Sequence, residues 1–323
     1  MGKSTKILQN IKRIASFCAF FYFSGMKSQT PETLRLQSFA KINLGLRILD
    51  RRPDGYHNIE SVMTPVLPCD EIMLTTSPEI SMTCDDSGLA CDDGNLCMRA
   101  AHILRQESGI TDGVRIHLQK RIPVGAGLGG GSSDAAAVLR GLCQLWNLKI
   151  EQQSLTPLAA QIGSDVPFFL RANSAAVSGR GEAVEYFDLD IPYWIVIVYP
   201  GIHCSTAWAY SEIDKLRKGP HGKESSISNP FKERLVRDLN FPDRLKSWLK
   251  NDFEEIIIRA YPLVEKIRHE LYRQGAVFTQ LSGSGSSLYA FFDDEEQAMN
   301  VCSSVEGEFG VFLTPPHFSG SLR

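Results

Sequence analysis

The sequence lacks the cysteine and histidine patterns that mark metal centres and disulfide frameworks. Its eight cysteines are scattered without a CxxC pair, and its seven histidines form no HExxH sequence. We therefore expect neither a zinc site nor a disulfide-stabilised scaffold. The chain also lacks a strong net charge, because its 34 Lys and Arg nearly balance its 37 Asp and Glu. No basic field points to nucleic acid. The apolar fraction of 43% is typical of folded globular proteins, and 323 residues suffice for two domains.

A long apolar run is also missing. Residues 14–23 are apolar but too few to cross a bilayer, so no membrane association is expected. Four Lys or Arg precede this run by residue 13, which is the pattern of a signal peptide. The alternative is a start assigned too early, with Met26 as the true first residue. We favour this alternative because the rest of the sequence is typical of a cytoplasmic protein, and we treat residues 1–30 as an N-terminal extension.

Hydrophobic periodicity predicts strands and helices that mix without strict alternation. Strands are predicted over residues 34–49, 59–67, 71–75, 114–118, 175–177, 194–199 and 288–292. Helices are predicted over residues 95–107, 133–146, 154–162 and 252–274, the first of them capped by Asp92 or Asp93. This mixture favours an α+β fold over a doubly wound sheet. The polar residues 215–229 form the most linker-like stretch.

The strongest motif is a glycine-rich loop, PVGAGLGGGSSD, which runs from Pro123 to Asp134. Its five glycines allow the backbone to approach a ligand closely. The helix predicted directly after the loop offers backbone N–H groups that favour an anion. The sequence therefore predicts a phosphate-binding site here.

Known loop types can be compared with this motif. A Walker A loop ends in GK[ST], and no lysine stands there. The dinucleotide fingerprint GxGxxG does match at Gly125, Gly127 and Gly130, but Glu151, which has the spacing of its acidic partner, opens a helical stretch instead of ending a strand. A third pattern, PxxxGLGSS, fits best. A flexible loop without a ligand is disfavoured, because the five glycines directly precede a helix.

Two further segments, one on either side of this loop in the sequence, also carry a recognisable pattern. Residues 39–46 read FAKINLGL and residues 281–287 read LSGSGSS. Either segment alone is weak, since a strand lysine is usually solvated and a Gly/Ser run is usually a turn. In this order, the opening lysine strand, central glycine loop and closing glycine turn resemble the GHMP kinases.

Five motifs narrow the resemblance to one branch of that family. They are AKINL at 40–44, RPDGYHNI at 52–59, GGSSDAA at 130–136, SDVPFF at 164–169 and NDFE at 251–254. Together they span about residue 34 to the C-terminus. The branch that they resemble phosphorylates the 2-hydroxyl of a cytidine diphosphate conjugate of methylerythritol with ATP and Mg²⁺, in the non-mevalonate route to isoprenoid precursors.

The resemblance implies a fold and a class of partner. It implies a GHMP kinase fold, with a ribosomal-protein-S5-like N-terminal domain over residues 31–172 and a ferredoxin-like C-terminal domain over residues 173–323. The active site is expected in the cleft between them. The expected partner is a small-molecule substrate, with no nucleic acid and no membrane, and the protein is expected to be a monomer or a homodimer.

The resemblance also assigns roles around the reacting hydroxyl. Asp165 matches the family's catalytic aspartate, which would accept the proton of the attacking hydroxyl. From the sequence alone, Ser164-Asp165 also fits a helix cap. Lys41 matches the catalytic lysine, which would keep Asp165 ionised and stabilise charge on the attacking oxygen. Asn43 would bind the erythritol hydroxyls.

ATP is expected on the glycine-rich loop. The residues predicted to contact it are Pro123, Gly125, Gly127, Leu128, Gly129, Gly130, Gly131, Ser132 and Ser133, with Asn95 in the purine pocket. Mg²⁺ would arrive with ATP and lie near Ser132 or Ser133. It would keep mostly water and phosphate oxygens as ligands, without a cage of protein groups.

Tyr56 and His57 would hold the cytosine, since an aromatic ring stacks on a base and an imidazole bonds its polar edge. The alternatives are an aromatic that covers the core and an exposed surface histidine. Tyr210 would lie on the other face of the base, with Trp208 as the alternative platform, and Thr206 would contact the substrate. The segment departs from the family pattern, which has a proline where Ala207 stands.

Two other functions remain open at this point. A GHMP kinase for mevalonate, homoserine or a sugar would have no base to stack on Tyr56. A GHMP-fold sensor without turnover would not need Lys41 and Asp165. The sequence therefore favours the cytidine-conjugate kinase over both alternatives.

Overall fold

A computed structural model describes residues 33–217, 230–305 and 307–320 of the chain. The predicted N-terminal extension and most of the predicted linker, residues 218–229, lie outside these ranges. Within the described residues, no helix combines the length and apolarity that a membrane span would require.

The first sheet is built on two long antiparallel strands that are twisted across each other. β1 (Thr33–Arg51) pairs with β2 (His57–Ser77), and the ladder brings Lys41 opposite Pro65 and Asn43 opposite Met63. The register shifts beside Gly45, whose φ is +73° and where a Cβ would lie 2.6 Å from the Phe231 ring. This bulge bends β1 toward the second half of the chain.

Four shorter strands and three helices complete the first half. The strands are β3 (Ser81–Cys84), β4 (Gly113–Gln119), β5 (Ala175–Ser178) and β6 (Ala183–Tyr186), in the order β3-β4-β2-β5-β6 with β1 also on β2. The helices are α1 (Leu96–Ser108), α2 (Gly130–Leu145) and α3 (Gln152–Ile162). The Ala- and Leu-rich α2 packs against α1, β1 and β2, so a buried helix carries the end of the glycine-rich loop.

The second sheet has four antiparallel strands in the order β10-β7-β9-β8. They are β7 (Trp194–Tyr199), β8 (Phe278–Leu281), β9 (Leu288–Phe292) and β10 (Gly310–Thr314). The helices are α4 (Thr206–Leu216), α5 (Pro230–Asp238), α6 (Pro242–Trp248), α7 (Glu254–Ala260), α8 (Pro262–Arg273) and α9 (Glu295–Val305). The β-α-β-β-α-β order is ferredoxin-like, as predicted.

Both faces of the second sheet are covered. Val196 and Val198 of β7 pack in one apolar cluster, whereas Ile195 and Ile197 pack in another on the opposite face. Successive strand residues point to opposite faces, so β7 reads as an unbroken apolar run.

Several local predictions need correction. The two strands predicted over 59–67 and 71–75 form the single strand β2. The helix predicted over 252–274 is divided at Tyr261, because Pro262 starts a new helix and cannot continue the old one. The cap of α1 is Asn95, whose side chain accepts from the Cys97 N–H, and neither Asp92 nor Asp93 takes that place. The strands β3, β6, β8 and β10 and the helices α4, α5, α6 and α9 were not predicted.

The change from one sheet to the other comes later than Ala172. β5 and β6 follow that residue, yet they pair with β2 and with each other in the first sheet. The second sheet starts only at Trp194.

Candidate active site

One cavity of about 940 Å³ collects the predicted site residues from both halves of the chain. The predicted residues on its wall are Lys41, Asn43, Tyr56, His57, Asn95, Pro123, Gly125, Gly127, Gly129, Gly130, Gly131, Ser132, Asp165, Thr206 and Tyr210. Leu128 and Ser133 are buried behind the loop and are not on the wall. Their contact with ATP stays a prediction, and the half-buried Ser132, which is on the wall, is better placed than Ser133 to meet a ligand.

The glycine-rich loop ends in a helix start that no side chain caps. α2 begins at Gly130, three residues before the predicted Ser133, and its N-cap is Gly129 in the left-handed region. Gly127 also has a positive φ, of +78°, and a Cβ there would lie 2.2 Å from the Ser282 carbonyl oxygen. Glycine is thus required for conformation and for space. The uncapped first turn of α2 faces the cavity and is suited to an anion.

The closing glycine turn fixes the shape of this loop from the other half of the chain. Ser282 Oγ donates to the Gly127 carbonyl at 3.0 Å, and the Ser287 N–H donates to the Ala126 carbonyl at 3.2 Å. Residues 281–287 therefore support the glycine-rich loop from behind.

A buried charge cluster supports the same helix start. Lys120 Nζ donates to Asp70 at 2.5 Å and to Asp134 at 2.8 Å, and Ser38 Oγ donates to Asp134 at 2.6 Å. Burial raises the pKa of Asp134 to about 7, although Lys120 acts in the opposite direction. The same two carboxylates raise the pKa of Lys120 despite its burial. The cluster thus connects β1, β2 and Lys120 to the first turn of α2.

Lys41 and Asp165 form the chemical centre of the cavity. Lys41 Nζ lies 3.8 Å from an Asp165 oxygen and donates to Asn43 Oδ1 at 2.5 Å. Burial lowers the pKa of the Lys41 ammonium, and the Asp165 carboxylate opposes that effect. Asn43 in turn donates to Ser61 Oγ at 2.9 Å. The pair can accept a proton at the carboxylate and stabilise negative charge beside it.

The helix-cap interpretation of Asp165 gains no support. A 3-10 turn does follow at Pro167–Leu170, but its N-cap is Val166 and no side chain caps it. The Asp165 side chain is about 30% exposed and faces the cavity. It is therefore available to a ligand.

The far end of the cavity is aromatic. His57 is nearly buried, its Nε2 lies 2.7 Å from Asp214 Oδ1, and its ring stacks on Tyr210 with centroids 4.9 Å apart. His57 is thus not the exposed surface histidine of the alternative interpretation. Tyr56 is 53% exposed, so it does not cover the core, and the Arg180 guanidinium lies 4.7 Å from its ring centroid.

The Thr206 segment has a defined register. Thr206 Oγ1 lies 2.8 Å from Ser284 Oγ, which connects α4 to the closing glycine turn. Trp208 packs its ring against Tyr261 and is not on the cavity wall, whereas Tyr210 is. Of the two candidate platforms, the structure favours Tyr210.

Sequence reasoning missed several charged residues of the cavity wall, among them Lys120, Asp214 and Arg180. Lys120 stands three residues before Pro123, a place where a basic residue beside a phosphate loop could have been suspected. Asp214 stands four residues after Tyr210 and so shares its helix face. Arg180 lies in the turn between β5 and β6, and no pattern in the sequence marks it.

Comparisons with known proteins show the family of the chain. The model of the GHMP kinases N terminal domain matches residues 95–173, and that of the GHMP kinases C terminal domain matches residues 235–311. A 4-diphosphocytidyl-2-C-methyl-D-erythritol kinase of Prosthecochloris aestuarii (strain DSM 271 / SK 413) is 40% identical over 292 residues, covering 89% of this chain and 99% of the relative. The kinase of the same name from Chlorobaculum parvum (strain DSM 263 / NCIMB 8327) is 42% identical over 287 residues, covering 88% and 97%.

Solved structures show the same fold. A crystal structure of 4-(cytidine 5'-diphospho)-2C-methyl-D-erythritol kinase has a TM-score of 0.70 at 29% identity, covering 87% of this chain and 98% of that one. A homoserine kinase from Cytophaga hutchinsonii has a TM-score of 0.69 at 20% identity, covering 94% and 100%. Because the homoserine kinase is only 20% identical, its similarity shows a shared fold and nothing about function.

Proposed function

Because the chain belongs to the 4-diphosphocytidyl-2-C-methyl-D-erythritol kinases of the GHMP kinase family, we propose that it transfers the γ-phosphate of ATP to the 2-hydroxyl of 4-diphosphocytidyl-2-C-methyl-D-erythritol. One observation carries the proposal from the structure. A single cavity joins a phosphate-binding loop, the Lys41–Asp165 pair and an aromatic end at Tyr56. The loop is suited to the phosphates of ATP, the Lys41–Asp165 pair to the reacting hydroxyl, and the aromatic end to the cytosine.

The reaction needs one proton acceptor near the attacking oxygen. Asp165 takes the proton of the 2-hydroxyl as that oxygen forms its bond to the γ-phosphorus, and the bond between the γ-phosphorus and the bridging oxygen of ADP breaks. Lys41 lies close enough to stabilise the attacking oxygen as negative charge develops on it. Asn43, which is held by Ser61, orients the erythritol hydroxyls.

ATP is proposed to bind with its phosphates on the uncapped start of α2. The backbone at Gly127 packs against the Ser282 carbonyl, where a Cβ would lie 2.2 Å from the oxygen, so the turn behind the loop fixes its shape. The backbone N–H groups at the start of α2 are then proposed to meet the phosphates. The Asn95 side chain caps α1 and donates to the Ala90 carbonyl. Because these bonds occupy its amide, Asn95 is proposed to shape the wall of the purine pocket.

Mg²⁺ is proposed to enter with ATP. The metal is proposed to be held mainly by phosphate oxygens and water. Ser132, half-buried on the cavity wall, is the hydroxyl proposed to join them. The metal would neutralise part of the negative charge on the ATP phosphates.

Two other proposals follow from the same assignment. The protein is proposed to work in the cytoplasm, where ATP is available. It is proposed to act on a small molecule as a monomer or homodimer, without nucleic acid.

One assay tests the proposed function. The protein is incubated with ATP and Mg²⁺ together with the cytidine conjugate, mevalonate, homoserine or a sugar, and ADP release is measured. We expect turnover with the conjugate alone. Turnover with one of the other alcohols would assign a different GHMP kinase, and binding without ADP release would indicate a sensor.

A further inference from the structure

Arg180 connects the two chemical ends of the cavity. It stands in the turn between β5 and β6, where the backbone of the neighbouring Gly181 lies against Asp165, so that a Cβ at Gly181 would be 3.4 Å from an Asp165 carboxylate oxygen. The Arg180 guanidinium lies 4.7 Å from the centre of the Tyr56 ring. The side chain therefore extends from the proton acceptor to the aromatic end.

The other cations on the cavity wall are engaged by acids. Within the described residues these are Lys41, Arg51 and Lys120. Lys41 is paired with Asp165, and Lys120 is enclosed by two buried carboxylates. Arg51 lies 3.6 Å from an oxygen of Asp214.

Arg180 also has an acidic neighbour, but its side chain is more accessible than the buried side chains of Lys41 and Lys120. Its Nε lies 3.9 Å from an oxygen of Glu182, beyond hydrogen-bond distance. The Glu182 carboxylate accepts instead from the Arg180 backbone N–H at 2.5 Å. The side chain is about 27% exposed, so its N–H donors can reach a ligand in the cavity.

We propose that Arg180 binds the diphosphate that joins cytidine to methylerythritol in the acceptor substrate. The inference rests on the proposed function, which puts the base near Tyr56 and the reacting hydroxyl at Asp165. The diphosphate must then lie between these ends, along the path of Arg180. A guanidinium offers paired donors that match phosphate oxygens, and stacking on Tyr56 holds its plane in place before the ligand arrives.

Two other roles for Arg180 must be distinguished from this one. Arg180 could bind the phosphates of ATP, or it could only hold the Tyr56 ring in place. Binding measurements separate these roles. Titration calorimetry is run with cytidine 5'-diphosphate and with cytidine, in the presence of a non-hydrolysable ATP analogue that fills the nucleotide site. The variants are Arg180→Gln, which removes the charge, and Arg180→Lys, which keeps it. Arg47→Gln is the control, because Arg47 is paired with Glu60 away from the cavity.

We expect Arg180→Gln to weaken cytidine 5'-diphosphate about ten- to 150-fold, the range for a hydrogen bond to a charged group, and to leave cytidine unchanged. Arg180→Lys should fall between, and Arg47→Gln should match the wild type. kcat/KM for the conjugate should fall in parallel, with the KM for ATP unchanged.

An equal loss for cytidine and its diphosphate would overturn the proposal in favour of a support for Tyr56. A loss confined to the ATP analogue or to the KM for ATP would overturn it in favour of the other phosphate source, and no loss at all would leave Arg180 without this role. If the wild type does not turn over the conjugate, the proposed function fails by itself. The two binding titrations still decide whether Arg180 recognises a diphosphate.

Discussion

The imidazole of His57, from the first half of the chain, is hydrogen-bonded through Nε2 to the Asp214 carboxylate of α4, at 2.7 Å. A carboxylate only accepts, so Nε2 carries a proton, and in the neutral ring Nδ1 is then an acceptor. Asp214 thereby sets which edge of His57 can meet the polar edge of a base. Tyr210, on the same helix, stacks on the ring and holds its plane.

We expect Asp214→Asn to lower kcat/KM for the cytidine conjugate about two- to tenfold, the range for one hydrogen bond, because the amide can present a donor to Nε2 and reverse the tautomer. The KM for ATP should not change. The control is Glu212→Gln on the same helix, where the carboxylate pairs with Lys215. Nitrogen chemical shifts of His57 report the tautomer directly, and an unchanged tautomer in Asp214→Asn would contradict this role.

Removing the proton acceptor should affect turnover and spare binding. Asp165→Asn keeps the shape of the side chain and loses its basicity, so kcat should fall by roughly 10²–10⁴. The measurement is single-turnover phosphoryl transfer, with binding of the conjugate followed separately. A variant that keeps more than about a tenth of the wild-type chemical step would rule out Asp165 as the base.

Recognition of the base should depend on Tyr56. Stacking is worth about 1–3 kcal/mol, so Tyr56→Ala should lower kcat/KM for the conjugate roughly five- to 150-fold. Free methylerythritol should be a very poor substrate for the wild type, and the substitution should change it little further. Equal losses on both substrates would make Tyr56 a structural residue.

The buried cluster beneath the loop should make stability depend on pH. Burial raises the folded-state pKa of Asp134 to about 7, from 3.8, so the folded state holds this proton where the unfolded chain has released it. The contribution of Asp134 to the free energy of unfolding is therefore fully present below about pH 4 and declines as the pH rises to about 7. Asp134→Asn cannot titrate and should lack this decline. Urea unfolding of both proteins at intervals of pH tests the difference, and parallel curves would contradict it.

The phosphate loop should tolerate a methyl group at one glycine and reject it at another. Gly127→Ala meets a positive φ and the Ser282 carbonyl at 2.2 Å, and should cost at least about 2 kcal/mol in the free energy of unfolding. Gly131→Ala is the matched control, since its nearest contact would be an ordinary 3.8 Å to Leu96. Thermal unfolding of both variants checks this, and equal stability would argue against the close backbone contact.

Periodicity and motifs predicted the parts of the fold that local sequence determines. The buried strand β7 and the Ala-rich α2 carry strong local patterns, and both were predicted close to their bounds. Short strands such as β6 and β8 were missed, because four residues give no measurable periodicity and their pairing partners lie far away in the chain. The break at Pro262 was overlooked, since the apolar pattern continues across it.

The site was predictable where a residue type and its chemistry coincide with a motif. Lys41 and Asp165 stand in matching segments, and the fold brings them to 3.8 Å. Arg180 and Asp214 contact residues that are distant in sequence, so only the folded chain brings them to their partners. Such contacts leave no local pattern in the sequence.

The contact between Ser282 and Gly127 joins residues that are 155 positions apart. The glycine-rich loop therefore depends for its shape on the second half of the chain. If the chain were cut between β6 and β7 and the halves were expressed separately, the first half would retain every residue of the loop motif and lose the turn that shapes it. Nucleotide binding should return only when the two fragments reassociate. Circular permutants opened between those strands should keep it, because they preserve the partnership while changing the order of the halves.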